Sequence, residues 1–448
     1  MSSKRKMALV AFLQAQNCTN FPASWRHPAS QLDFMTADYY RRLGATLESG
    51  KFHLAFFDDR LAMPDIFAGD FRDTVKEGIR AVKLDPMICA TTLGMATEHL
   101  GVGVTYSTTY YEPYHVARIF STLDHMTGGR AAWNVVTSLN ASEAANFGRE
   151  IVDHDLRYDK AEEFLEIVQG HWRSWDDDAL VLDRETGTFA NADRVRRLNF
   201  TGDYYSSRGP FTIPRSPQGE PVLIQAGQSG RGQQFAAKWG DLVFVIYPNL
   251  AIGRKQYSAF KEALSTSGRD PNSVRVAPAV YAIVGETKAQ AEDKRAELDA
   301  LAKPIDGLVL LSEVLNFDFA AKGYDEAFTS EEMDGISGIQ AFRDRVVAMS
   351  GRSNPSPRDF VEFTNRGRLA EFPVFVGDPR TIADEMEDWF GSACDGFVLA
   401  GTHTPGAYDD FVRLVVPELQ RRGLFRTEYE GKTLRENLGL SKSPRVIR

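Results

Sequence analysis

Three sets of residues in this 448-residue chain have types and spacings that chemistry can use. The first is Gly227-Gln-Ser229-Gly230-Arg231-Gly232, which follows the apolar run Val222–Ala226 and leads into a helical stretch, Gln233–Trp239. Glycines let a backbone approach a ligand, Ser229 offers a hydroxyl, and a helix starting here presents free N–H groups to an anion. An ordinary strand-to-helix turn explains the same stretch equally well. The second set is His154 and Tyr158, four apart and so on one face of a helix. Both can donate to a phosphate or to ring oxygens, although a partly exposed helix start explains them too. The third set is dispersed over the ends of apolar runs: Gln14 and Asn17, Asp58 and Asp59, Ser107, Thr108 and Tyr110, Asn134 and Thr137, Tyr247 and Asn249, and Gly401 to His403.

Amides, hydroxyls and aromatics dominate these positions, and charges are few. The paired carboxylates of a glycosidase are missing. So are the His-x-Glu and Cys-x-x-Cys spacings of a metal centre and the Gly-x-Ser-x-Gly elbow of a hydrolase. No metal is expected. A set this poor in reactive groups points to a bound cofactor with its own reactivity.

The elements that must position these residues read as a repeating β/α pattern. Residues 101–138 show it best: strand-like Val102–Ser107, a helical run through Val116, Ile119, Phe120, Leu123 and Met126 stopped by Gly128-Gly129, then strand-like Ala131–Thr137. A strand, helix and strand in that order demand a parallel sheet. Buried strands are expected near residues 9, 55, 104, 134, 224, 244, 280 and 398, each followed by a helix. Helices are expected over 34–49, 86–99 and 158–172 among others, with Gly101 as a terminator. Segments 176–220 and 303–372 interrupt the rhythm and read as insertions, the second without a buried strand. Eight such units predict an α/β TIM barrel, one domain over 1–448 with two insertions, whose ligands sit at the strands' C-terminal ends. A doubly wound open sheet is the alternative, but no Gly-x-Gly-x-x-Gly follows the first strand.

Net charge is −9 and the basic residues are dispersed, unlike the basic patch of a nucleic-acid protein. The three cysteines, Cys18, Cys89 and Cys394, are far apart, as in a reducing compartment. No apolar run is long enough to span a membrane, and Met7–Leu13 is too short for a signal core. A cytoplasmic location is the expectation.

Several motifs resemble one known family. Thr109-Tyr-Tyr-x-Pro-Tyr-His-Val-Ala-Arg118, Leu123-Asp, Gly128-Gly-Arg, Trp133-Asn-Val-Val-Thr-Ser138, Asn146-Phe-Gly, Arg157-Tyr-Asp and Arg215-Ser-Pro-Gln-Gly-x-Pro221 are similar to the nitrilotriacetate monooxygenase/dibenzothiophene sulfone monooxygenase branch of the bacterial-luciferase-like flavin enzymes. The similarity runs from about residue 7 to 440 and thins over 303–372. It implies a TIM barrel that takes reduced FMN (FMNH2) from a separate NAD(P)H:flavin reductase. With O2, a flavin peroxide then oxygenates a small organic molecule.

By the family's pattern, Asp59, Ser107, Asn134, His154, Tyr158, Ser229 and Gly230 match FMN-contacting positions. Asp59 and Asn134 would lie near the ring; His154, Tyr158 and Ser229 would lie near the ribityl chain and phosphate. Asp58 stands where a proline is expected, so either aspartate can take the role, and Arg231 replaces another proline. Phe56, Phe57, Tyr110, Tyr111, Trp133 and Tyr247 are candidates for a dry wall around the flavin. His27, Tyr110 and His403, with Asn134, are the candidates for substrate contact and catalysis.

The resemblance leaves room for aromatic sulfones, amino-polycarboxylates and halogenated or nitrogen aromatics. The thin spread of basic groups at the strand ends favours a neutral aromatic. Segment 303–372, at the barrel mouth, is a candidate lid. Helices near 34–49 and 114–127 can pair barrels into a homodimer or homotetramer. An F420- or flavin-dependent oxidoreductase and a catalytically silent flavin-binding protein are the competing functions on the same fold.

Overall fold

The computed structural model describes residues 5–227, 230–338 and 340–442. Its main sheet is built from β1 (Ala8–Gln14), β2 (Leu54–Asp58), β3 (Gly101–Ser107), β4 (Ala131–Val136), β5 (Val222–Gln225), β6 (Leu242–Val245), β7 (Arg275–Val284), β8 (Val374–Gly377) and β9 (Gly396–Ala400). The strands pair in the order β6-β5-β4-β3-β2-β1-β9-β7, and β6 pairs with β7 to close the ring. Every pairing in it is parallel. This is the eight-stranded TIM barrel expected from the repeat, with all eight strands where the apolar runs lie. The open sheet is excluded by the β6–β7 and β1–β9 pairings.

The ninth strand, β8, pairs only with the upper half of β7 (Tyr281–Val284). Four residues between Pro373 and a helix start are too few to show an alternation, so the sequence pattern does not reveal it.

A parallel ring is buried on both faces, which is why these strands are apolar at nearly every position. Side chains still alternate. Ala8 and Val10 belong to the cluster inside the ring, whereas Leu9, Ala11 and Leu13 join the cluster under the helices. Inside, Phe12 lies 5.5 Å from Phe56, and Phe56 meets Phe244 edge-on at 4.9 Å. Gly103, opposite Phe56, keeps this layer open: a Cβ there would lie 3.3 Å from both Ile224 and Leu54.

The helices follow from local chemistry. Thr36 caps α1 (Ala37–Ser49), Asp85 caps α2 (Pro86–Met95), and Asp153 caps α4 (His154–Trp172), each accepting from backbone N–H groups of the first turn. Helix α3 (Pro113–Met126) ends at Gly128 and Gly129, whose φ values of 67° and 90° suit glycine. Two expectations are corrected. Helix α2 stops at Met95, and Gly101 begins β3 instead of terminating a helix. Helix α4 starts at His154, four residues early, because Asp153 supplies the cap.

Segment 176–220 carries two short antiparallel pairs, Leu180–Asp183 with Thr188–Ala190 and Phe200–Thr201 with Ser206–Ser207. Segment 303–372 is helical and has a core of its own, in which Phe319, Phe328 and Phe360 meet edge to face within 5.0–5.8 Å. It is fastened to the barrel by the packing of Val309 and Leu310 on Ile79 and by charge. Arg26 donates to both oxygens of the fully buried Asp306, at 2.7 and 2.9 Å, and also to Glu77. Lys303 reaches the same Glu77 at 2.6 Å. Asp306 in turn accepts from Lys303 N–H at the start of its own helix. Breaking a buried pair leaves a charge without a partner, so Asp306→Ala should cost about 3–5 kcal/mol of stability. Urea unfolding checks this, and limited proteolysis should then cut first within 303–372.

Candidate active site

Alternation decides which residues enter the mouth at the strands' C-terminal ends. Gln14 and Asp58 face each other across β1 and β2, and Thr105 pairs with Asn134 across β3 and β4. Asn134 is on the inward side and Trp133 on the outward side. Trp133 is fully buried beneath α3 and α4, beside Phe120 and Phe164, and its indole donates to Tyr106 O at 3.1 Å. It therefore cannot line the mouth, and neither can Phe57, which packs under α1. Those two members of the expected wall are corrected, and so is Tyr247, which joins the cluster under the helices beside Gly253; Phe56 keeps its place inside.

Asn134 donates to Thr105 Oγ1 at 3.0 Å, but its buried Oδ1 has no partner. The buried Nε2 of Gln14 also has none. An unmet buried acceptor and an unmet buried donor in one mouth are costly unless a ligand satisfies them. Ser107 sits one step above Asn134's partner, accepts from Thr109 N–H at 3.1 Å and shares a hydrogen bond with Ser138 at 2.9 Å.

The two aspartates separate. Asp58 binds Lys83 at 2.5 Å. Asp59 lies past the strand end, where its carboxylate accepts from Arg60 N–H at 2.8 Å. Burial pushes the Asp59 carboxyl up to about 7, against the opposing pull of Lys83.

The two sequence features with phosphate chemistry converge. His154 and Tyr158 lie on one face of α4 with rings 5.2 Å apart. The Tyr158 hydroxyl stands over the loop after β5: a Cβ added at Gly227 would come within 3.1 Å of it, and within 2.9 Å of Gly232 Cα. Gln225 ties that loop to β4, donating to Val135 O at 2.8 Å and accepting from Gly227 N–H at 2.7 Å. Helix α5 (Gly230–Trp239) then starts at Gly230, which has open space around it. Arg231 turns away to pair with Asp159 at 2.7 Å. Ser229 lies outside the described residues.

Of the candidates for substrate contact, His27 and His403 stack at 3.9 Å, on the rim where the loops after β1 and β9 meet. Burial, and then the neighbouring His27, lowers His403 to about 4; burial lowers His27 as well, so both rings are neutral near pH 7. Tyr110 stacks on Phe147 at 4.5 Å, and burial raises its phenol to about 12. The contacts of Tyr110 are thus with the β3–β4 side, not with the histidine pair. His99, His125 and His171 have structural roles, on Tyr429, Pro214 O and Ser207 respectively.

Sequence reading missed the mouth's basic side. Lys83, Arg80 and Arg366 come from loops, not strand ends. Arg80 follows a short helix (Arg72–Glu77) on a turn that runs back over β1, with Leu84 N–H bonded to Ala15 O at 2.7 Å. Nothing in its spacing points to the mouth. Among the described residues no cluster of three or more metal-ligating side chains occurs, and no helix is long and apolar enough to cross a membrane.

The raised Asp59 carboxyl makes a testable pH dependence. The folded state holds its proton up to about pH 7, the unfolded state only to about 3.8. The folded state binds more protons in that window, so stability falls as pH rises through it. Asp59→Asn should remove this slope, gaining stability over the parent chain at about pH 8 and little at about pH 4. Urea midpoints at the two pH values measure it.

Residues 16–396 match the luciferase-like monooxygenase family. The chain is 43% identical over 451 residues to the dibenzothiophene-sulfone monooxygenase of Rhodococcus erythropolis, covering 98% of each. It is 38% identical to nitrilotriacetate monooxygenase component A of Aminobacter aminovorans, covering 93% of each. Among solved structures it is similar to a riboflavin lyase crystallised with modified FMN and riboflavin, with a TM-score of 0.88 and 31% identity, covering 99% of this chain and 98% of that one.

Proposed function

The chain belongs to the luciferase-like monooxygenase family, and on that premise we propose that it is the oxygenase component of a two-component system. It takes FMNH2 from a separate NAD(P)H:flavin reductase and uses O2 to oxygenate a small organic substrate. The observation that carries this reading is the meeting of the Gly227–Gly232 loop, the Tyr158 hydroxyl and the start of α5, one strand away from the unmet Oδ1 of Asn134. A cradle for an anion beside an unpaired amide suits a phosphorylated ring. The relatives support it: one is named as a component of a larger monooxygenase, and one similar structure holds an FMN derivative.

The residues present fit the cofactor. Asn134 Oδ1 would offer the ring an acceptor and Gln14 Nε2 a donor; both are otherwise unpartnered. Ser107 and Asp58 or Asp59 complete the polar edge. The α5 N-terminus with Gly230, Tyr158 and His154 would hold the phosphate and ribityl chain. The Phe12–Phe56–Phe244 layer closes the floor and keeps water from entering below. When bound, reduced flavin supplies two electrons, so that one oxygen atom of O2 enters the substrate and the other leaves as water. The chain's own part is to bind, to orient and to keep the mouth dry. His27 and His403, as neutral imidazoles, can hold a substrate oxygen or move a proton at its edge.

The same reading makes 1–448 one working unit with 176–220 and 303–372 as insertions, placed in the cytoplasm with the reductase. A homodimer is the expected assembly. Ile88 and Met95 on α2 and Met126 at the end of α3 are 56–67% exposed, an apolar face that a second copy can cover.

Gly227→Ala should weaken FMNH2 binding by about tenfold or more, because the added methyl must move Gly232 or Tyr158. Tyr158→Phe should weaken it less. Anaerobic titration of reduced FMN measures both; unchanged affinity in both variants removes the phosphate assignment. Substrate-coupled oxygen uptake with a reductase present tests the oxygenase role, and turnover with NAD(P)H and no reductase would contradict it.

A further inference from the structure

The basic side of the mouth contains three ion pairs and one guanidinium left over. Lys83 pairs with Asp58, Arg60 with Glu313, and Arg366 with Glu371. Arg80 has no carboxylate in ion-pair range among the described residues. It is 7% exposed, donates only to Asn20 (3.0 Å to Oδ1, 3.4 Å to O), and its buried Nε has no acceptor. Asn20 is itself held from inside the ring by the Tyr281 hydroxyl, at 3.5 Å. Burial and then the nearby Arg366 charge lower the Arg80 pKa, yet a guanidinium keeps its proton at neutral pH. A buried cation held by one neutral amide is costly, and its free N–H fork matches a carboxylate or an oxyanion of sulfur.

We propose that Arg80 is the counter-ion for a single acidic group, a carboxylate or sulfinate, on the substrate, whose apolar body lies over the aromatic floor. The inference rests on the monooxygenase reading for its substrate. It replaces the neutral aromatic expected from the strand ends, because Arg80 reaches the mouth from a loop. Arg60 and Arg366 are already neutralised by Glu313 and Glu371, so they add potential without competing for the ligand. Glu313, Arg366 and Glu371 all belong to segment 303–372, which therefore sets the charge of the substrate's acidic end.

Equilibrium binding to the flavin-free full chain tests this with a matched pair, benzenesulfinate and methyl phenyl sulfone. The sulfinate should bind about tenfold more tightly, and R80Q should erase the difference while reduced-FMN affinity stays at the parent value. Equal affinities in the parent chain, or a preference that survives in folded R80Q, overturn the proposal. Should R80Q not fold, R80K takes its place: loss of part of the preference supports the assignment, and an unchanged preference overturns it. Failure of the parent chain to bind reduced FMN would end the flavin reading separately, since the anion preference is measured without flavin.

Discussion

The closed parallel ring imposes one constraint from which the rest of the mouth follows: each strand can spend only alternate residues on the interior. Below the mouth those residues must fill the ring, and they do so with Phe12, Phe56, Phe244 and small partners such as Gly103. Only the last one or two inward residues of a strand are free to be polar. Gln14, Asp58 and Ser107 occupy the last step of their strands, and Thr105 and Asn134 the step below it on β3 and β4. The site is rich in single amides and hydroxyls, and these strand ends bring together neither a triad nor a carboxylate pair. The need for an external reactive group follows from that choice of residues.

What the strands cannot supply, the loops bring at an energetic cost. Apart from Arg80, the mouth's charges are set against one another: Asp58 against Lys83, Arg60 against Glu313, Arg366 against Glu371. Such pairs gain little net stability once desolvation is counted, so their presence argues for positioning. Arg26 and Asp306 do the same for the whole 303–372 segment. With Asp306 fully buried and held at both oxygens, the segment is anchored at its first helix as a wall of the mouth, which narrows any lid motion to the parts beyond residue 315.

Legibility in the sequence divides along the same line. The ring was readable because a strand buried on both faces is a run of apolar residues, and eight such runs stand out. Its C-terminal ends were therefore readable too, and Ser107, Asn134, Tyr158 and Gly230 fall where the repeat puts them. Trp133 and Phe57 were misplaced because an apolar run hides which face each residue takes; only the register of β4 against β3 shows that Asn134, not Trp133, turns inward. Strand β8 was too short to carry a pattern. Arg80, Lys83 and Arg366 were invisible as site residues because loops have no period, and their approach depends on hydrogen bonds between distant segments, such as Leu84 to Ala15.

The mouth is consequently asymmetric. On the β3–β5 side, hydroxyls, amides and a helix N-terminus are fixed by strand ends and by Gln225, which couples β4 to the loop after β5. Moving any of these would move the ring. On the β1–β2 side, Gln14 and Asp58 are joined by charged groups on loops and on segment 303–372, which is held by ion pairs and by the packing of Val309 and Leu310 on Ile79. Substitution there changes charge and shape without disturbing the floor. The proposed phosphate cradle belongs to the first side, and the loop charges proposed to tell one substrate from another belong to the second.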